Sequence, residues 1–196
     1  LEDFFKRGLF VSKRTTQTGA KKKYALLTEK DKIKIRGFET VRRDWCQLAR
    51  KLQSKVLNQV LHDGNEKESL KLLKETITKR QNRKVDLKEL IIKTQLKKPL
   101  NEYIAEGPHV VAAKKMEAQE IPISPGMIIE YFIGETTKQS KKIGDKVFLP
   151  EEKTKYNIDY YLNNQILPSV ENIFEVFNIN VKEIADGHSQ SSLGDF

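Results

Sequence analysis

The sequence is poor in cysteine and in long apolar runs. Its one cysteine, Cys46, excludes an internal disulfide and a zinc site built from several cysteines, which favours a reducing compartment. The longest apolar run, residues 127–133, is interrupted by Glu130 and is far shorter than the about 20 residues that cross a bilayer. Residues 1–10 lack the basic and then apolar layout of a signal peptide. We therefore expect a cytoplasmic protein without a membrane partner.

Motifs of enzyme chemistry are also missing. The sequence has no G-x-x-x-x-G-K-[ST] phosphate loop, no G-x-S-x-G nucleophile turn and no H-E-x-x-H metal pair. The three histidines are far apart in sequence, and the acidic residues include no D-x-D pair that could hold two metal ions. We therefore expect this chain by itself to contain neither a catalytic residue nor a metal site.

Positive charge is abundant and unevenly distributed. The chain has 36 Lys and Arg against 27 Asp and Glu, a net charge of +9. Residues 1–60 hold 16 basic and 6 acidic residues, a net +10, so the remaining 136 residues sum to −1. Such segregation is typical of a surface that binds a polyanion, whereas a soluble basic protein without that partner would spread its charge more evenly.

The hydrophobic pattern predicts an α+β fold that begins with a short β region. Residues 9–11, 22–27 and 33–36 are predicted strands, and the last two form a hairpin. Residues 33–36 alternate, with two isoleucines on one face and Lys34 and Arg36 on the other. The hairpin is therefore expected to have one wet, basic face.

A mainly helical region with a small β element is predicted to follow. Apolar residues at spacings of three and four predict a helix after Gly37, along a stripe of Val41, Trp45, Leu48, Leu52, Val56 and Val60. Further helices are predicted at 66–81, 109–119 and 158–177, the last offset by Pro168. Residues 87–96 fit a strand or a helix end, and 127–133 fit a strand with which 147–149 could pair.

The first candidate binding site is the cluster Lys21-Lys22-Lys23-Tyr24. On a strand, Lys22 and Tyr24 project from one face about 7 Å apart. A lysine donor in the minor groove, with a tyrosine on the sugar or phosphate, would hold duplex DNA without sequence preference. A solvated run of lysines is the alternative.

The second candidate site is Arg42-Arg43, which we place in the first turn of the helix that follows Gly37. The positive end of the helix dipole disfavours arginine there by roughly 0.3–1 kcal/mol per residue, so a functional demand is the better explanation. With the free N–H groups of the helix start they would form an anion site, in which Asp44 could orient one guanidinium. Local pairing with Glu39 and Asp44 is the alternative.

In this order the two segments resemble the junction of palm and thumb in archaeal family B DNA polymerases. Residues 5–11 resemble the palm strand that follows the catalytic centre, Lys22-Lys23-Tyr24 resembles the K-x-Y motif, and residues 37–45 resemble the G-x-E-x-V-R-R-D-W segment. Tyr103, Gly107-Pro108-His109, Pro125-Gly126 and residues 160–168 follow in family order. The resemblance covers roughly residues 4–185, with residues 12–20 as an insertion.

The resemblance implies that residues 1–37 end the palm, residues 38–181 form the thumb and residues 182–196 form a flexible tail. The short β piece would complete a palm sheet. The implied DNA-binding residues lie in the K-x-Y cluster, the arginine segment and the thumb: Lys21, Lys22, Lys23, Tyr24, Arg42, Arg43, Asp44, Lys98, Tyr103 and His109. For residues 107–109, a turn at a helix start is favoured over direct DNA contact.

The family's D-x-x-S-L-Y-P and Y-G-D-T-D motifs are absent from the sequence. The resemblance is therefore greatest to the small subunit of a split polymerase, whose large partner would supply the aspartates and bind Mg²⁺, while this chain binds no cofactor. Such a pair would be a DNA-directed nucleotidyltransferase of DNA replication, in which this chain alone is not catalytic. We expect the edge strand at residues 9–11 and the K-x-Y hairpin to pair with the partner and to leave apolar surface exposed in the isolated chain.

The tail has the Q-x-x-L-x-x-F spacing of a sliding-clamp binding peptide in Gln190, Leu193 and Phe196. One 3₁₀ turn would place Leu193 and Phe196 on the same side, with Gln190 in a separate polar pocket. The alternative to a polymerase subunit is a free-standing accessory protein that binds duplex DNA or the clamp without a polymerase partner. An independent nuclease or metal enzyme has almost no support in the sequence.

Overall fold

The computed structural model describes residues 4–11, 23–136 and 142–185. The chain divides into two compact units, which we call the first unit (residues 1–42, 49–84 and 163–196) and the second unit (residues 43–48 and 85–162). The predicted boundary between palm and thumb at residues 37 and 38 stays a prediction. None of the helices in the described ranges is long and apolar enough to cross a membrane.

The first unit contains an antiparallel sheet in the order β1-β2-β3, formed by Phe5–Val11, Lys23–Thr28 and Ile33–Arg36. This confirms the predicted hairpin of β2 and β3, and β1 is longer than predicted. The inner face buries Leu9, Ala25 and Leu27, which are at most 5% exposed. On β3 the isoleucines are half-buried and the two basic residues are exposed, as the alternation predicts.

Helix α1 (Gln47–His62) starts only after Arg42 and Arg43, which the sequence placed in its first turn. Gly37, at φ 73°, turns the chain so that Phe38 is fully buried, and one 3₁₀ turn (Glu39–Val41) follows before extended backbone at Arg42. Val41 is consequently 68% exposed, and its place in the apolar stripe was wrong. The rest of the stripe from Leu52 onward is buried as predicted.

The remaining helices of the first unit are α2 (Glu66–Gln81), α6 (Leu167–Phe174) and α7 (Val181–Ala185). The sequence predicts that Leu70, Leu73 and Ile77 of α2 are buried. Leu73 and Ile77 are buried, whereas Leu70 is half-buried. Helix α7 includes residues 182–185, which the sequence assigned to a flexible tail, because the buried side chain of Val181 anchors its start. The predicted tail after residue 185 lies outside the described residues.

The second unit is built on an antiparallel sheet in the order β4-β5-β6, formed by Ile92–Gln95, Ile128–Ile133 and Val147–Phe148. Helix α4 (Pro108–Ala118) packs on β5, and α3 (Leu87–Leu90) leads into β4. Residues 87–96 therefore contain both of the alternatives left open by the sequence, a short helix and then a strand.

The helix predicted at 158–177 is divided near Pro168. Helix α5 (Ile158–Tyr161) continues into a π-helical turn at Leu162–Ile166, and α6 follows before a last 3₁₀ turn at Glu175–Phe177. Proline has no N–H to donate to the preceding turn, and a wider turn accommodates that loss. The predicted offset at Pro168 thus takes the form of a π turn just before it.

Candidate nucleic-acid interface

The outer face of the sheet β1-β2-β3 combines aromatic and basic side chains. Tyr24 is paired with Phe10 on β1 and with Arg36 on β3, so the three residues lie in one row across the sheet. The rings of Phe10 and Tyr24 are stacked, with centroids 6.2 Å apart and planes 30° apart. Phe10 is 69% exposed and Arg36 is exposed, so this row presents rings and a guanidinium to solvent. Phe10 and Arg36 were not among the predicted site residues.

A second row lies beside the first and consists of Gly8, Leu26 and Lys34. A Cβ on Gly8 would approach Leu26 Cδ2 to 2.8 Å and Phe10 Cε2 to 2.9 Å, so a larger residue here would have to displace the ends of these two side chains. The ammonium of Lys34 lies 5.8 Å from the ring centroid of Phe5. The alternation of residues 33–36 already indicated that Lys34 and Arg36 share the wet face, and cross-strand pairing adds the aromatic neighbours.

The predicted residues Lys21 and Lys22 lie outside the described residues, whereas Lys23 is placed on β2. The ammonium of Lys23 donates a hydrogen bond to Glu39 Oε1 and lies 5.9 Å from the ring centroid of the buried Phe38. The side chain of Lys23 is 20% exposed and that of Glu39 is 6% exposed. Lys23 is thus directed toward the interior of the first unit.

Glu39 belongs to a buried polar network around Gln53 of α1, and Gln53 is fully buried. The Gln53 amide nitrogen donates to Glu39 Oε2 at 2.6 Å and to the carbonyl oxygen of Ser169. Gln53 Oε1 accepts a hydrogen bond from the Thr40 N–H at 2.7 Å. The network therefore joins the turn at Glu39–Val41 to α1 and α6 within the first unit.

Arg42, Arg43 and Asp44 are exposed, but they do not lie where the sequence placed them. Arg42 has extended backbone, and α1 begins only at Gln47, so the predicted placement of these arginines in the first turn of a helix was wrong, whereas their binding of anions stays a prediction. The reason is the turn at Gly37, which buries Phe38 rather than Val41 in the core. The carbonyl oxygen of Arg43 instead accepts a hydrogen bond from the Lys93 N–H at 3.4 Å within the second unit.

The second unit brings Lys98, Tyr103 and His109 together. The Lys98 ammonium lies 5.0 Å from the ring centroid of Tyr103 and donates to the Glu102 carbonyl oxygen. The rings of Tyr103 and His109 meet edge to face with centroids 5.6 Å apart, and the Tyr103 hydroxyl accepts from the Lys97 N–H at 2.9 Å. These three predicted residues are therefore contacts of one another.

The surroundings of the histidine in this cluster favour its neutral form. Burial, and then the positive charge of Lys97, lower the pKa of His109 below its usual value. Gly107 is the N-cap of α4 and Pro108 occupies its first turn, which confirms the predicted helix start. A pocket of about 490 Å³ lies beside the cluster and is lined in part by Lys98, Tyr103 and Lys114.

The described residues contain no group of three or more His, Cys, Asp or Glu side chains that could hold a metal ion. The arrangement of the described side chains can therefore bind, through cations, hydroxyls and aromatic rings, but it does not assemble a two-metal centre.

The sequence is similar to those of archaeal DNA polymerases. The family model described as DNA polymerase family B matches residues 17–177. A DNA polymerase of Pyrococcus horikoshii is 40% identical over 185 residues, which cover 93% of this chain and 14% of that protein. A DNA polymerase of Thermococcus gorgonarius is 39% identical over 187 residues, which cover 93% of this chain and 23% of that protein.

The fold is similar to that of a solved polymerase as well. The structure of the family B DNA polymerase from the hyperthermophilic archaeon Pyrobaculum calidifontis matches with a TM-score of 0.72 and 28% sequence identity. The match covers 92% of this chain and 23% of that chain. This chain thus spans less than a quarter of the length of each of these three polymerases.

Proposed function

The chain belongs to DNA polymerase family B, and from this premise we propose that it is the DNA-binding thumb subunit of a two-chain polymerase. In this proposal residues 1–37 complete the palm sheet, residues 38–181 form the thumb, and the residues after α7 carry a clamp-binding peptide. A partner chain supplies the catalytic aspartates. The pair acts as a DNA-directed nucleotidyltransferase in DNA replication, and this chain alone does not polymerise.

The observation that carries the proposal is the outer row of Phe10, Tyr24 and Arg36. A flat sheet face with stacked rings and an exposed guanidinium suits the sugars and phosphates of a duplex, which look alike at every base pair. Such contacts hold a primer-template duplex without sequence preference, which a polymerase needs because it moves along its substrate. Lys21 and Lys22, which lie outside the described residues, stay proposed as DNA-binding lysines.

The arginine segment and the cluster in the second unit are proposed to contact the duplex as well. Arg42, Arg43 and Asp44 are exposed, so the two guanidinium groups can reach phosphates even though they do not begin a helix. In the cluster, Lys98 is proposed as the phosphate-binding cation. Tyr103 and His109 are proposed to order the loop around it, through the ring contacts described above.

A partner surface is proposed along β1, which is an edge strand among the described strands of its sheet. Phe4 is 62% exposed and Phe5 is 42% exposed beside this edge. Unpaired backbone groups next to exposed rings favour the addition of a strand from another polypeptide. We assign this edge to the palm of the catalytic chain.

Nucleotidyl transfer in this family uses divalent metal ions, and the described residues do not fit that role because they offer no cluster of metal-ligating side chains. The proposal accordingly assigns Mg²⁺ to the partner's aspartates. This chain contributes the grip that keeps the duplex in place while the partner reacts.

Primer extension tests the proposal. The chain is mixed with the polypeptide from the same source that carries the D-x-x-S-L-Y-P and Y-G-D-T-D motifs, and extension of a labelled primer is followed with each chain alone and with both. We expect no extension with this chain alone and a large gain in product length for the mixture over the partner alone. The reason is that a duplex bound by this chain dissociates less often from the polymerase.

The same assay distinguishes the alternative function. A free-standing accessory protein would bind duplex DNA but would leave the partner's activity unchanged and would not co-elute with the partner from a sizing column. Either of these results would contradict the two-chain proposal.

The clamp-binding peptide predicts a separable effect. Deleting residues 190–196 removes Gln190, Leu193 and Phe196, so the reconstituted polymerase should lose the increase in product length that a sliding clamp gives. Extension without the clamp should be unchanged, because the deleted residues are not part of the proposed duplex grip. The measurement is product length at limiting enzyme, with and without the clamp.

A matched control replaces Ser191 and Ser192 with alanine, which keeps all three proposed anchors. If the deletion also abolished extension without the clamp, or if the serine variant behaved like the deletion, the assignment of these anchors would be wrong.

A further inference from the structure

Lys23 and Arg36 lie on opposite faces of the sheet β1-β2-β3. Lys23 immediately precedes Tyr24 on β2, so the two side chains project from opposite faces. Arg36 is paired with Tyr24 across β2 and β3, so these two share the outer face. The Lys23 side chain is 20% exposed and Arg36 is exposed.

The buried carboxylate of Glu39 fixes Lys23 on the inner face of the sheet. Its ammonium binds the carboxylate of Glu39, whose side chain is 6% exposed and whose second oxygen accepts from Gln53. Swinging Lys23 out to a phosphate would leave this carboxylate buried without its cation, which is strongly unfavourable. Lys23 therefore stays with Glu39 when the outer face is occupied.

We infer that Arg36 contacts a DNA phosphate, whereas Lys23 is a positioning residue that acts through Glu39 and does not touch DNA. The inference rests on the proposed function, since it assigns roles within the proposed duplex grip. A guanidinium can bind a phosphate through two parallel hydrogen bonds, which suits Arg36 beside the ring of Tyr24.

The positioning role follows from what the pair joins. Lys23 is adjacent to Tyr24, and Glu39 lies in the turn that leads directly to Arg42. The ion pair therefore ties the strand that carries the tyrosine to the segment that carries the first proposed arginine, both within the first unit. Loss of the pair lets these two segments shift and so weakens DNA binding, but every proposed phosphate-binding cation stays in the chain.

The salt dependence of DNA affinity separates the two roles. The full 196-residue chain and its variants are titrated with a mixed-sequence primer-template duplex between about 50 and 200 mM salt, because the log–log slope counts neutralised phosphates at about 0.9 each. Arg36→Gln should lower the magnitude of the slope by about 0.9. Lys23→Met should raise Kd by the same factor at every salt concentration and leave the slope unchanged, and Lys23→Arg should restore affinity.

Lys6→Gln is the matched control, since it removes the same charge from the same sheet. Lys6 forms an ion pair with Asp31 at 2.9 Å near the β2–β3 turn, at the other end of the sheet from Arg36, and its removal should leave the slope unchanged. Circular dichroism checks that each variant is folded. Glu39→Gln provides a second variant of the buried pair and should repeat the effect of Lys23→Met.

Several results would overturn the inference. One is a slope that falls by about 0.9 for Lys23→Met, and another is a slope that is unchanged for Arg36→Gln. If neither Lys23→Met nor Glu39→Gln changed the Kd, the ion pair of Lys23 and Glu39 would have no part in positioning the residues that contact DNA. A wild-type chain whose affinity is flat in salt would instead refute the proposed duplex grip, and the inference with it.

Discussion

Replacing Gln53 with leucine should lower the free energy of unfolding by about 3–4 kcal/mol, although the two side chains are similar in size. Gln53 is fully buried and serves three partners, namely Glu39, Thr40 and Ser169. Leucine would leave a carboxylate oxygen, an N–H and a carbonyl oxygen without that partner away from water. Each such orphaned group costs roughly 1–3 kcal/mol, with a sum reduced by local relaxation.

Urea denaturation measures this loss. The midpoint of the variant should shift to lower urea while the m-value stays the same, because the surface exposed on unfolding hardly changes. Gln59→Leu is the control on the same helix, since Gln59 Oε1 is buried and none of the described residues donates a hydrogen bond to it. That variant should be neutral or stabilised.

Equal midpoints for the two variants would mean that the network around Gln53 contributes nothing. A loss for Gln53→Leu alone would show that the buried Glu39 is tolerated because Gln53 and Lys23 satisfy it together. The polar groups of the network then specify the position of the turn before Arg42, as well as stabilising the first unit.

Replacing Tyr161 with phenylalanine should cost about 2–3 kcal/mol in the second unit. The ring is fully buried, and its hydroxyl accepts from the Ile133 N–H at 3.0 Å and donates to the Leu90 carbonyl oxygen at 2.9 Å. One oxygen atom thereby joins β5 to the end of α3. Its removal leaves two buried backbone groups unpaired.

The same hydroxyl makes stability depend on alkaline pH. Burial raises the pKa of Tyr161 well above its usual value, since a phenolate would lose its hydration. An unfolded tyrosine loses its proton near pH 10 while the native one keeps it. Deprotonation therefore stabilises the unfolded state relative to the native state. The stabilisation is thus fully present below about pH 10 and is lost as pH rises above that value.

Denaturation at neutral pH and above pH 10 measures both effects. The difference in stability between the wild-type chain and Tyr161→Phe should be largest at neutral pH and should shrink as pH rises. Tyr103→Phe is the control, because its hydroxyl also accepts one backbone N–H, from Lys97, but at an exposed site where water replaces it. A difference that is independent of pH, or an equal loss for Tyr103→Phe, would contradict the role assigned to burial.

Local patterns predicted much of the secondary structure. The alternation of residues 33–36 predicted both the strand and its basic face, and the spacing of Leu52, Val56 and Val60 predicted a buried helix face. These predictions succeeded because period and burial are encoded within a few neighbouring residues. The prediction of where α1 starts was wrong because it depends on distant packing. Phe38 competes with Val41 for the core, and only the packed chain decides which of the two is buried.

The sequence by itself determined the family, the excess of basic residues before residue 60 and the strand that carries Tyr24. Tertiary structure alone decided that Lys23 binds Glu39, that Phe10 and Arg36 flank Tyr24, and that Lys98, Tyr103 and His109 meet. The physical reason is that charge and periodicity are local properties of the chain. Which cation is buried in an ion pair and which one faces solvent depends on partners that are distant in sequence.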